Sequence, residues 1–163
     1  MHKATFAGKP CGLKLVALQQ GQTLCKEAEI LRRLTHPNIV KLESTPPLHD
    51  KFLYLHFPFA KHGDLQHYLE VHAGTVAGAR VAAARLRRMA RQLCEAVAYL
   101  VFSAALILAH CDVKPANVFV AEEDDTSQPT AILGDFDVSH TAAGRTATLT
   151  LKGEKALSSK RES

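Results

Sequence analysis

The sequence has no C-x-x-C pair; its four cysteines, Cys11, Cys25, Cys94 and Cys111, lie far apart. That spacing argues against a disulfide framework or a zinc knuckle, and favours a reducing, cytoplasmic setting. The opening MHKATFAGKP has no apolar core of the secretory kind. A long hydrophobic run is missing too. The longest uncharged stretch, Ala96 to Ala109, falls short of the roughly 18 residues of a membrane span and reads as a buried helix end followed by a strand. Charge of one sign is not in excess: a net +4 permits a weakly basic face without demanding nucleic acid. The arginines from Arg80 to Arg91 lack the interleaved aromatics of a nucleic-acid surface and read as a solvated helix face. No internal repeat is visible.

What remains has globular proportions, 47% hydrophobic and 22% charged residues in a chain of 163, enough for one domain or two small lobes. Cys11 to Leu18 reads as a buried strand carrying an anomalous lysine, Lys14. From Leu24 to Leu34 the apolar residues fall on one helical face, and Pro37 is the expected stop. Ile39–Leu42 and Lys51–Phe59 read as strands around a turn at Pro46, Pro47 and Asp50. Asp64 is placed to cap a short helix, Leu65–Val71. The clearest helix is Arg80–Leu100, with Leu86, Met89, Leu93, Val97 and Leu100 as its expected core stripe. Asn117–Val120 and Ala131–Leu133 are short strands joined by an acidic hairpin turn, and 151–163 is an expected frayed tail. Strands first, then helices, then a hairpin indicate an α+β chain with a small sheet lobe and a helical lobe.

The chemistry concentrates in His110-Cys111-Asp112-Val113-Lys114-Pro115-Ala116-Asn117, where an acid, a cation and an amide precede a strand. Asp135 follows the next strand in Gly134-Asp135-Phe136-Asp137. A hairpin between these strands would bring Asp112, Asn117 and Asp135 to one rim. Two carboxylates and an amide oxygen are hard ligands suited to Mg²⁺. A lysine beside them suits a phosphoryl group, whose transfer needs metal, cations and a positioned hydroxyl more than covalent chemistry. His110 reads as a packed, hydrogen-bonded histidine, and His62, His67 and His72, spaced by five, as surface residues.

Five blocks in order resemble the eukaryotic protein kinase domain of the serine/threonine type. HCDVKPAN is similar to the catalytic loop H-R-D-x-K-x-x-N, GDFD to the magnesium-binding D-F-G, and CGLK to the V-A-I-K strand. KEAEILRRLTHPNIVKL resembles the αC helix with the strand after it, and FLYLHFPFAKHGDLQHYL the strand, hinge and αD helix. The resemblance runs from His2 to about Gly153. It implies a kinase-like α+β fold: an antiparallel sheet lobe with αC and the hinge over 1–60, and the first part of the helical lobe over 61–150. It implies ATP and Mg²⁺ as cofactors and a protein substrate bearing a Ser or Thr hydroxyl, with no nucleic acid or membrane partner. Asp112 would orient or accept the hydroxyl proton, and Lys114 would neutralise the γ-phosphate. Asn117 and Asp135 would hold magnesium. Lys14 would reach the α- and β-phosphates, paired with Glu27 rather than the competing Glu29. Phe57 would be the gatekeeper, with Phe59 and Ala60 in the hinge.

The departures carry expectations of their own. The family's glycine-rich loop and A-P-E are not seen, and the resemblance implies a domain truncated at both ends. Catalysis is therefore expected to be weak or lost, and the alternative is a non-catalytic, pseudokinase-like fragment that binds nucleotide or protein. Cys111 stands where the family has the arginine that pairs with a phosphorylated activation loop. Asp137 replaces the D-F-G glycine, which predicts backbone strain at 137 and an extra carboxylate that disturbs or joins the metal site.

Overall fold

The computed structural model describes residues 2–18, 25–49, 52–72, 79–102, 107–122 and 128–141. The expected frayed tail, the loose link at 74–78 and the tip of the acidic turn lie outside these residues. A four-stranded antiparallel sheet forms the N-terminal layer. It contains β1 (His2–Phe6), β2 (Lys9–Ala17), β3 (Pro47–His49) and β4 (Phe52–Pro58), in the order β1-β2-β4-β3. The two-residue turn between β1 and β2 places Ala7 at φ 49° and Gly8 at φ 77°. Two positive φ values in such a loop match the right-handed twist of the flanking strands.

Pairing of β2 with β4 sets Gly12 opposite Phe57 and Lys14 opposite Leu55. Directly paired residues share a face. Lys14 therefore stands on the face whose partners Leu53, Leu55 and Phe57 are buried. Helix α1 (Lys26–Leu31) packs against this face through Glu27, Ala28, Ile30 and Leu31. It is shorter than the apolar pattern predicts. Arg33 and Leu34 donate to residues three back, Ile30 and Leu31, so the helix winds down well before Pro37.

The segment expected as a strand at Ile39–Leu42 crosses the core instead of joining a sheet. Only Ile39 makes a bridge, parallel, to Leu133. Pro47 begins the edge strand β3 where a turn was expected. A proline is tolerated there because an edge strand needs no inner ladder bond from it.

Helix α2 (Leu65–His72) starts as expected, with Asp64 Oδ1 accepting the His67 N–H at 2.9 Å. Helix α3 (Ala79–Phe102) lies across the second layer, with Met89 and Leu100 of the expected stripe buried and Leu93 packed against the core. Leu86 and Val97 are each 37% exposed, while Met89, Gln92, Ala96 and Leu100 are buried. Gln92 earns its place by accepting the Ala131 N–H at 3.0 Å. The uncharged run from Ala96 thus ends this helix at Phe102, then supplies the strand β5 (Leu108–Ala109); 103–106 lie outside the described residues. Among the described residues, no helix is long and apolar enough to cross a membrane.

The hairpin β6 (Val118–Glu122) and β7 (Pro129–Leu133) packs Val118, Val120, Ala131 and Leu133 into the core. A short strand β8 (His140–Thr141) pairs with β5. All four cysteines are free thiols.

Candidate phosphate and metal site between the two layers

A cleft of about 360 Å³ opens between the sheet layer and the β6–β7 hairpin. One side is built from Phe57, Phe59 and Ala60, and the polar wall from Lys14, Glu27, Asn117 and Asp135. The elements explain this convergence. The strand β2 aims Lys14 inward, and α1 presents Glu27 from its first turn. A one-turn helix, Pro115–Asn117, carries Asn117 to the edge of β6. The Gly134 N–H then donates to the Asn117 carbonyl at 2.9 Å and brings Asp135 alongside.

The Lys14 ammonium donates to Glu27 Oε2 at 2.8 Å, Asp135 Oδ1 at 2.8 Å and Asp137 Oδ2 at 2.9 Å. Burial opposes its charge, but the hydrogen bonds to Asp135 and Glu27 prevail and hold Lys14 above the ordinary lysine range. Burial pushes the Glu27 carboxyl up, and Lys14 pulls back without cancelling it. The other Glu27 oxygen accepts the Phe136 N–H at 3.1 Å, so this carboxylate ties β2 to the loop after β7. Glu29 is exposed and takes no part.

Asp112 forms a second centre beside the cleft; neither it nor Lys114 lines the cleft itself. Lys114 Nζ and Asn117 Nδ2 each donate to Asp112 Oδ2, both at 2.8 Å. These two bonds hold the Asp112 carboxyl below the usual carboxylate range. The hydrogen bond to Asp112 and its charge hold Lys114 above the ordinary lysine range, and the Asp135 charge adds to this. Because the amide nitrogen of Asn117 is committed to Asp112, its oxygen is the atom left for a cation. That oxygen with the Asp135 carboxylate makes a hard donor set, which fits Mg²⁺.

His110 links the two centres. Its Nε2 donates to the Gly134 carbonyl at 2.9 Å, and its Nδ1 accepts the Asp112 N–H at 3.4 Å. Phe136 packs edge-on against the ring, with centroids 4.6 Å apart. Only the neutral ring serves both bonds. Burial holds His110 below its ordinary 6.5, against the opposing pull of the Gly134 carbonyl, Asp112 and Asp135. The unfolded chain therefore binds the extra proton first. Stability is complete above 6.5 and falls as pH drops from there towards the depressed folded value. Melting curves taken from about pH 7 to about pH 5 should show this loss, and His110→Gln should reduce the slope.

One expectation needs correction. The strained backbone predicted at Asp137 is absent: the positive φ in this loop is at Asp135, 62°, with another at Cys111, 66°. Aspartate tolerates that region because its short side chain bonds locally. Asp137 brings the expected extra carboxylate: it pairs with Lys14, and with Glu27 and Asp135 it forms a group whose carboxylate oxygens all lie within 4.8 Å of one another, close enough to share a cation. The reading of the residues further missed Phe119 and Val40, which line the cleft, and Lys3, whose ammonium sits 4.7 Å from the Phe59 ring centroid. The alternation Val118-Phe119-Val120 carries the signal for Phe119. Its neighbours are core, so its ring must face the other way. A Cβ on Gly134 would lie 2.4 Å from that ring, which explains the glycine before Asp135.

The protein kinase domain profile matches residues 2–157. The chain is 31% identical over 126 residues to calcium/calmodulin-dependent protein kinase type II of Caenorhabditis elegans, covering 76% of this chain and 16% of that protein. It is 28% identical over 113 residues to serine/threonine-protein kinase RAD53 of Saccharomyces cerevisiae, covering 68% and 12%. The chain spans between 12 and 22% of the lengths of such curated relatives. The crystal structure of the Rad53 kinase domain and SCD2 has the same fold, with a TM-score of 0.60 at 24% identity over 82% of this chain and 46% of that one. With its profile match, its fold and its order of motifs in agreement, the chain belongs to the protein kinase domain family.

Proposed function

We propose that the cleft takes ATP with Mg²⁺ and that the chain is a slow transferase of the γ-phosphate to Ser or Thr of a protein. The observation that carries this reading is one cleft lined at once by Lys14, Glu27, Asn117, Asp135, Phe57 and the proposed hinge residues Phe59 and Ala60. Lys14 would pair with the α- and β-phosphates, with Glu27 orienting it. Asn117 and Asp135 would hold the magnesium, which neutralises phosphate charge when bound. Asp112, held ionised, would orient the acceptor hydroxyl and take its proton, and Lys114 beside it would counter the γ-phosphate charge. The base would lie on the hinge side, over Phe119.

A second reading, nucleotide binding without transfer, is favoured by one observation: neither Asp112 nor Lys114 lines the cleft. The test is melting temperature with and without MgATP. A rise in the wild type that is lost in Lys14→Ala and in Asp135→Asn supports the shared nucleotide site. Equal rises in all three proteins contradict it. Phosphate incorporation separates the two readings.

A further inference from the structure

An ammonium group has three N–H donors. In Lys14 each is matched by a carboxylate oxygen at 2.8–2.9 Å, from Glu27, Asp135 and Asp137. No donor remains for a phosphate oxygen, and one positive charge faces three acidic groups. A phosphate can engage Lys14 only if one carboxylate lets go. The three are not equally easy to release. The Glu27 side chain is 2% exposed and also holds the Phe136 N–H. Asp135 is 39% exposed and is the proposed cation ligand. Asp137, 55% exposed, is the best solvated of the three, and its ion pair is the least costly to open.

We propose that Asp137 is an internal competitor of nucleotide phosphate for Lys14, which makes nucleotide binding depend more steeply on a divalent cation. The inference rests on the nucleotide reading above and adds a residue that acts through Lys14. Without a cation, the incoming phosphates must displace Asp137 and also meet its charge. With a cation in the site, phosphate charge is neutralised and the freed Asp137 has a new electrostatic partner, so displacement costs less. Glycine at this position would leave one Lys14 donor free.

The test is ATP binding to the full chain by calorimetry, in EDTA and in Mg²⁺. The proteins are wild type, Asp137→Gly and Asp137→Asn, each first shown to be folded by circular dichroism. Both variants should bind metal-free ATP about 5-fold more tightly than wild type, the size of an exposed ion pair. With Mg²⁺ the gain should shrink below about 2-fold, because the cation already relieves the competition. A gain of equal size with and without Mg²⁺ overturns the inference, since a change in cleft shape would produce it. Unchanged or weaker metal-free binding in the variants overturns it as well. In these outcomes wild-type binding persists and the nucleotide reading stands. ATP binding by none of the folded proteins overturns both. Should Asp137→Gly not fold, the near-isosteric Asp137→Asn gives the same readings.

Discussion

Asp112→Asn should lower phosphate incorporation from MgATP into a Ser- and Thr-bearing protein by about 10²–10⁴-fold, the usual contribution of a positioned general base. The same variant should keep the melting rise caused by MgATP, because Asp112 is not among the cleft residues. The separation follows from the geometry. Asp112 is held by Lys114 and Asn117 beside the cleft, whereas Lys14 and Asp135 line it. An amide at 112 still accepts from Lys114 but has no charge to attract the hydroxyl proton. A radiolabelled phosphate assay over long incubation checks this. Incorporation that survives the change would remove Asp112 from the reaction.

The second large effect concerns stability. Phe136→Ala should destabilise the fold by roughly 3–5 kcal/mol, because it empties a fully buried aromatic site. That is a large part of the roughly 5–15 kcal/mol that holds a typical domain together. The ring packs on His110, while the Phe136 backbone N–H donates to Glu27. Its loss therefore loosens the loop that carries Asp135 as well as the core. Denaturant titration should show the lower midpoint, and the MgATP effect should weaken with it. A midpoint unchanged from wild type would show that Phe136 does not seat the loop.

Much of this was legible in the residues. Lys14 stands out as a lone lysine in the apolar strand Cys11–Leu18, and the resemblance to the kinase domain selected Glu27 over Glu29 as its partner; the two side chains meet at 2.8 Å. Asp64 is a visible cap, and the acidic turn between two apolar runs is a visible hairpin. The part of the α3 face that Gln92 and Ala96 supply was not legible. Apolar periodicity has no means of choosing Gln92 over Leu86, because Gln92 is buried to satisfy a backbone N–H of β7. Pro47 misled for a related reason. The residue type suggests a turn, and only its place at a sheet edge makes it a strand. The Lys14–Asp137 pair spans 123 residues, and local pattern holds no trace of so distant a contact.

The most direct measurement is a crystal structure of the chain grown with Mg²⁺ and a non-hydrolysable ATP analogue. The account predicts the base between the hinge and Phe119, phosphate oxygens within hydrogen-bond distance of Lys14, and the cation on Asp135 and the Asn117 oxygen. A nucleotide lodged elsewhere, with Lys14 still held by all three carboxylates, would contradict it.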